Sequence, residues 1–182
     1  MNILIISGSR NPEGQTAQAA KALIEGIRDG GGEAELVFLP PMHIERCRQC
    51  ENDGWGICRS EGQCIVEDDF ASLVGRVKAA DAVVFATPVY FGDLSESLKA
   101  LLDRLRRTCV NENGRDGIDG RLAIGICVAG GGGGGAPACT EILDRTLRTC
   151  GFDVLDVIPV RRQNLEAKKA ILRSTGARIA TE

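Results

Sequence analysis

Four of the chain's eight cysteines, Cys47, Cys50, Cys58 and Cys64, fall within the eighteen residues CRQCENDGWGICRSEGQC. Thiolates are soft ligands and nucleophiles, so this crowding admits four chemistries. Four cysteines can carry a [4Fe–4S] cluster, which accepts variable loop lengths. They can hold zinc tetrahedrally, although Cys58 and Cys64 stand wider apart than the usual paired spacing. Cys47 and Cys50 can close a reversible disulfide, although a C-x-x-C away from a helix start lacks the dipole that activates it. The fourth alternative is an unligated loop. The remaining cysteines, Cys109, Cys127, Cys139 and Cys150, are scattered through the chain and read as structural thiols.

Three other stretches collect site-like residues. SGSRNPEGQT places Ser7, Ser9, Arg10, Gln15 and Thr16 between an apolar run and a helical pattern. A helix N-terminus presents unpaired N–H groups and a positive dipole end, which favour an anion. Short hydroxyls, a guanidinium and the tight turns permitted by Gly8 and Gly14 suit a monophosphate; a plain turn is the alternative. Five residues separate those glycines and Gln15 occupies the lysine position, so this is not a Walker A loop.

AGGGGGGAP matches G-x-G-x-x-G at Gly130, Gly132 and Gly135, as any run of six glycines must. Such a run costs backbone entropy. Gly130, Gly131, Gly132 and Gly133 therefore read as a wall against which a flat ligand lies, or as a mobile surface loop. TPVYFGD gathers Pro88, Val89, Tyr90, Phe91 and Gly92, with two of the seven aromatic residues, into one turn. Tyr90 and Phe91 either border a planar ring or pack beneath the loop. Asp93 is the candidate N-cap of the helix that follows.

The elements that must position these stretches follow from the hydrophobic pattern. Short, nearly continuous Val/Ile/Leu runs at 2–6, 34–39, 82–86, 122–129 and 154–160 suit parallel strands covered on both faces. Between them run helical stripes, the clearest being Leu94, Leu98, Leu101, Leu102 and Leu105, and a last helix is expected over 165–177. Alternating β and α units imply a doubly wound α/β sheet. Four unusual strand-to-helix loops would then gather at the carboxyl edge of the strands, where ligands bind, as one site. The polar segment TCVNENGRDGIDG reads as a solvated loop, and Arg161, Arg162 and Asn164 as a solvated helix start or a contact to a nicotinamide phosphate or neighbouring subunit.

Composition bounds the partners. A length of 182 residues with 43% hydrophobic and 26% charged content suits one soluble globular domain. A formal charge of −3 without a basic stripe gives no reason to expect nucleic acid, and no apolar run is long enough to suggest a membrane span. The start MNILIISGSR lacks the basic flank and long apolar region of a signal peptide. The expected location is cytoplasmic, where structural disulfides are rare. His43 is the sole histidine and no G-x-S-x-G elbow is present, which argues against triad hydrolysis.

A phosphate loop, a glycine wall and an aromatic turn on one edge describe a pocket for flavin mononucleotide. GSRNPEGQT, ATPVYFGDLSESLKALLDR and the glycine loop resemble the NADPH-dependent FMN reductases and iron–sulfur flavoproteins of the flavodoxin-like superfamily, over nearly the whole chain. The P-V-Y-F-G turn, the following L-S, and Lys99 and Asp103–Arg104 carry the most specific part. The resemblance implies a flavodoxin-like three-layer α/β sandwich with a five-stranded parallel sheet of order 2-1-3-4-5. It implies one FMN-binding domain over 1–182, with a cysteine-rich insertion at about 43–66. Ser9, Arg10, Gln15 and Thr16, with Ser7 beside them, would grip the FMN phosphate. Pro88, Val89, Tyr90, Phe91 and Gly92 would border the isoalloxazine, and Gly130, Gly131, Gly132 and Gly133 its pyrimidine side.

The same resemblance implies electrons from NAD(P)H to a small acceptor, with the chemistry carried at flavin N5 and no catalytic side chain, in a homodimer or homotetramer. The iron–sulfur branch has C-x2-C-x2-C and a fourth cysteine just before an acidic pair. Cys47 and Cys50 match its first pair, and Cys58, Cys64 and IVEDD its second, with seven residues between the pairs instead of two and Asp53 at the third cysteine's place. On that alternative the chain is an electron carrier, linking FMN, a [4Fe–4S] cluster on Cys47, Cys50, Cys58 and Cys64, and a ferredoxin-like partner. A zinc-stapled nucleotide-binding module is the third reading.

Overall fold

The computed structural model describes residues 1–182. Five parallel strands, β1 (Asn2–Ser7), β2 (Glu33–Phe38), β3 (Ala82–Pro88), β4 (Leu122–Ala129) and β5 (Asp153–Arg161), form one sheet in the order β2-β1-β3-β4-β5. The long helices are α1 (Gln15–Asp29), α3 (Phe70–Ala79), α4 (Glu96–Thr108), α6 (Ala136–Cys150) and α7 (Leu165–Ile179). The short ones are α2 (Ile57–Ser60) and α5 (Glu112–Arg115), and a single 3-10 turn, Arg162–Asn164, follows β5.

The continuous apolar runs are explained by two cores, one on each face of the sheet. Successive side chains of a strand point to opposite faces. Ile3, Ile5, Val84, Ile124 and Ile126 accordingly pack under α1 and α7, while Leu4, Ile6, Val83, Phe85 and Cys127 pack under α3, α4 and α6. The two edge strands expose one side, β2 at Glu33 and Glu35 and β5 at Asp153, Leu155 and Asp156. The helices α1 and α7 approach so closely that a Cβ at Gly26 would strike the Arg173 backbone and one at Gly176 the Leu23 carbonyl. Those helix-interior glycines are there for packing. No helix is long and apolar enough to cross a membrane.

Two local expectations are corrected. The N-cap of α4 is Ser95, whose hydroxyl accepts from the Leu98 N–H at 3.4 Å. Asp93 instead closes the preceding turn, exchanging backbone hydrogen bonds with Tyr90 at 3.0 Å and accepting from the Leu94 N–H at 2.7 Å. The left-handed Phe91 and Gly92 (φ +51° and +82°) use up the residues that would otherwise have entered the helix. The segment after α4 is not a solvated loop either. It contains α5, buries Ile118 completely, and packs Gly114 against the Thr108 carbonyl and Gly62. Asn111 donates to the Arg59 and Ser60 carbonyls at 3.3 and 2.9 Å, docking this segment onto the cysteine-rich loop.

Candidate functional site

Loops from the carboxyl ends of β1, β3 and β4 meet in one cleft of about 390 Å³, lined by Ser9, Gln15, Thr16, Pro88, Val89, Tyr90, Val128, Gly130 and Gly131. Its size lies within the roughly 300–1,000 Å³ of small-molecule sites. Hydrogen bonds between the loops fix the walls. Gly8 N–H donates to the Ala86 carbonyl at 2.8 Å, Ser97 Oγ to the Gly8 carbonyl at 3.2 Å, and Val89 N–H to the Val128 carbonyl at 2.9 Å. Thr87, fully buried, accepts from the Ser95 N–H at 3.0 Å and so ties the aromatic turn to the start of α4. A Cβ at Gly135 would come within 2.9 Å of the Gly92 backbone, so the glycine loop and the aromatic turn touch main chain to main chain.

The structure distributes the expected ligand residues unequally. Eight of them line the cleft, joined by Val128, which its strand-like apolar context concealed. Ser7 is buried behind the wall, its hydroxyl accepting from the Ser9 N–H at 3.3 Å, so it shapes the loop. Arg10 is exposed outside the cleft, and Gly92, Gly132 and Gly133 lie beyond its lining. Phe91 is fully exposed at the rim in a left-handed conformation. For a bulky non-glycine residue that costs on the order of 1–3 kcal/mol, and such strain clusters at functional sites.

Four loops were expected to form one site; three do. Because β2 is the edge strand, its loop runs outward and folds over the far half of α4. There Cys47, Cys50, Cys58 and Cys64 all line a second, small pocket together with Ile57, Val66, Arg104, Arg107 and Thr108. No three His, Cys, Asp or Glu side chains converge closely enough for a single ion; the cysteines stand around the pocket's walls. Helix α4 joins the two places. Its first turn holds Gly8 at the cleft, and Arg107 lies about 15 Å further along its axis from Ser97.

The cysteine loop closes at its neck around one buried ion pair. Arg104, 1% exposed, reaches both carboxylate oxygens of Asp68, at 2.6 and 3.0 Å, and the Glu45 and Val66 carbonyls at 3.1 and 3.4 Å. Asp68 also accepts from the Glu45 and Phe70 N–H groups at 2.8 and 3.0 Å, and the guanidinium lies 4.1 Å over the Phe70 ring. Burial pushes the Asp68 carboxyl up, but the Arg104 hydrogen bonds and the two backbone donors outweigh it and hold the carboxyl below its ordinary range. Asp69 completes the neck, accepting from the His43 N–H at 2.7 Å while its own N–H donates to the His43 carbonyl at 3.0 Å. The acidic pair after Cys64 is thus a fastening for the loop. His43 itself is exposed and lies 4.0 Å from Glu45.

The other cysteines are buried but not isolated. Cys109 donates its thiol to the Gly114 carbonyl at 3.8 Å and neighbours Cys150, and Cys127 neighbours Cys139. The neighbouring Cys139 thiol and burial push the Cys127 thiol far up, and the Cys109 thiol and burial do the same to Cys150. Cys127 and Cys150, so held, are inert structural thiols.

A parallel sheet of order 2-1-3-4-5 with its cleft at the carboxyl rim defines a flavodoxin-like protein. The chain belongs to the NADPH-dependent FMN reductase family, whose sequence profile matches residues 1–170. It is 33% identical over 131 residues to an iron–sulfur flavoprotein of Methanocaldococcus jannaschii, covering 72% of this chain and 65% of that one. It is also 33% identical over 104 residues to an iron–sulfur flavoprotein of Methanosarcina thermophila, covering 57% of this chain and 52% of that one. The chain thus spans between half and two thirds of the length of these relatives. Among solved structures, the NAD(P)H:quinone oxidoreductase of Methanothermobacter marburgensis superposes with a TM-score of 0.71 at 21% identity, over 98% of this chain and 96% of that one. That likeness is one of fold.

FMN is the cofactor expected of this family, and the cleft fits it on two counts. Helix α1 begins without a side-chain cap and without an acidic residue in its first turn, which leaves its N–H groups and dipole to an anion. A Cβ built at Gly130, Gly131 or Gly132 would meet nothing within 4 Å. Packing does not demand glycine there, and none of the three has positive φ. What the missing side chains leave is open room along the wall for a flat ring.

Proposed function

We propose that the chain is an FMN-dependent NAD(P)H oxidoreductase that passes electrons from a nicotinamide cofactor through FMN to a small acceptor such as a quinone, free flavin, metal or dye. The observation behind this is the cleft itself, where an uncapped helix N-terminus, a glycine wall and an aromatic turn meet. Bound FMN supplies the hydride and electron chemistry. The protein's part is to hold and orient. Ser9, Gln15, Thr16 and the first N–H groups of α1 take the phosphate, with Arg10 adding charge from outside and Ser7 bracing the loop. Pro88, Val89 and Tyr90 border the ring, with Phe91 and Gly92 at the rim. Gly130 and Gly131, continued by Gly132 and Gly133, leave space for the pyrimidine side and offer main-chain donors. No histidine lines the cleft, in keeping with a reaction that needs no side-chain acid or base.

Residues 1–182 would form one FMN-binding domain bearing the cysteine-rich insertion at about 43–66. The exposed Tyr90 and Phe91 beside the cleft favour a homodimer or homotetramer in which a second copy covers the ring. Eight free thiols suit a cytoplasmic protein. Protein purified without added flavin should be yellow, with equimolar FMN that NADPH bleaches anaerobically and a quinone restores. A colourless protein that refuses FMN defeats the reading.

A second reading rests on the cysteine pocket. Four cysteines spread around one pocket suit a [4Fe–4S] cluster, whose thiolates attach to different irons. A single zinc would need its sulfurs within about 4 Å of one another, given Zn–S bonds of about 2.3 Å. With a cluster the chain would act as an electron carrier, with a ferredoxin-like protein as partner. Replacing Cys58 with Ser should remove iron and sulfide from anaerobically prepared protein while leaving FMN in place. Iron retained in full would sink the assignment.

A further inference from the structure

Two arginines beside the cysteine pocket have donors that nothing in the chain accepts. Arg104 directs its Nη atoms to Asp68, Glu45 and Val66, yet its Nε–H has no partner. Arg107, one turn further along α4, donates from Nη2 to the Gly54 carbonyl and lies 4.1 Å over the Trp55 ring, and its buried Nε–H is also unpartnered. Only three buried side-chain polar atoms in the whole chain lack a partner, and these are two of them. Buried donors are normally satisfied, so two orphans lining one pocket call for a cause. Both residues line the pocket that holds Cys47, Cys50, Cys58 and Cys64.

The charges of the pair differ. Asp68 neutralises Arg104, whereas Arg107 faces a carbonyl and a ring. The pocket therefore carries a net positive charge on its α4 side, with N–H groups free to meet an anionic group rich in acceptors. Four thiolates on a [4Fe–4S] core form a net anion, and one added electron makes it more negative. Reduction potentials of such clusters respond to nearby charge and to hydrogen bonds on the sulfurs.

We propose that Arg104 and Arg107 are positioning cations for a cluster held by the four cysteines. Their Nε–H groups donate to its sulfurs, and the charge on Arg107 favours the reduced state and so raises the reduction potential. This rests on reading the cysteine pocket as a cluster site.

Arg104 also closes the loop neck, so Arg107 is the residue to vary. The full chain, reconstituted anaerobically with iron and sulfide, is assayed for iron, sulfide and FMN, then titrated with dithionite as the one-electron reductant to read the cluster midpoint. Arg107→Gln should load as the wild type does, with the reduction equilibrium at least tenfold less favourable, about 59 mV lower for one electron. Arg107→Lys, which keeps the charge, should recover most of that shift. Arg106→Gln is the control. Arg106 lies outside the pocket and pairs with Asp103 at 3.3 Å, so its loss should leave the midpoint unchanged.

A loaded Arg107→Gln protein with the wild-type midpoint overturns the proposal, as does an equal shift in Arg106→Gln, which would reduce the effect to overall charge. Should Arg107→Gln retain FMN but take up no iron, loading of Arg107→Lys supports the role of charge, and failure of both overturns it. A wild-type chain that keeps FMN and takes up no iron overturns the cluster reading itself, a result distinct from all of these.

Discussion

Asp68→Asn should be among the most destabilising single substitutions in this chain, costing about 3–5 kcal/mol. The change is nearly isosteric, so no cavity is made. What is lost is the negative charge facing Arg104, which is 1% exposed while the Asp68 side chain is fully buried. An uncompensated buried guanidinium is far more costly than an intact pair is stabilising, because its desolvation is no longer offset. With a urea slope of roughly 2 kcal/mol/M, the unfolding midpoint should fall by about 2 M. The acid limb gives a second reading. Asp68 has a folded pKa depressed below its unfolded value of about 3.9. Its stabilisation is therefore complete above that value and is lost as pH falls through the lower, folded one. The gap between wild type and variant should hold steady from about pH 5 to 8 and narrow below pH 4. A gap that stays constant down to acid unfolding would mean that the pair is not formed.

The ion pair also marks where sequence reasoning reaches its limit. The central strands could be read because β1, β3 and β4 are apolar on both faces, a demand that only a sheet covered by helices makes. The final helix was expected over 165–177, and it runs two residues past that end, to Ile179. The cysteines could be read as a group, since their crowding is local. Arg104 and Asp68 are 36 residues apart and share no period, so nothing in the sequence announces that they meet. Arg107 was hidden in the same way, as one more charge on an amphipathic helix. The expectation of a single four-loop site failed for a geometric reason. The order of the strands around the sheet puts β2 at the edge, and its loop descends beside α4 instead of turning inward to the cleft. At Ser95 the error was one of register. Asp93 and Ser95 are both good caps, and the choice between them was made by the left-handed turn at Phe91 and Gly92, which no propensity favours for phenylalanine.

Gln15→Glu should have effects of opposite sign on the fold and on its ligand. Gln15 is the first residue of α1 and lines the cleft. That first turn has no acidic residue, so a carboxylate there would interact favourably with the positive end of the helix dipole. FMN-free protein should gain about 0.3–1 kcal/mol in urea unfolding. The same carboxylate would stand where the cofactor's phosphate is held. Two unit charges 4 Å apart repel by about 1 kcal/mol in water and about 4 kcal/mol at the effective dielectric of a protein surface. A phosphate carries more than one charge at neutral pH, so FMN affinity should fall at least tenfold, and less steeply in high salt as screening takes hold. Fluorescence titration with FMN measures the loss, and riboflavin, which lacks the phosphate, should bind the variant as it binds the wild type. Damage to the fold would lower stability and both affinities together. Unchanged FMN affinity in a stabilised variant would move the phosphate away from the start of α1, and with it the orientation of the ring along the glycine wall.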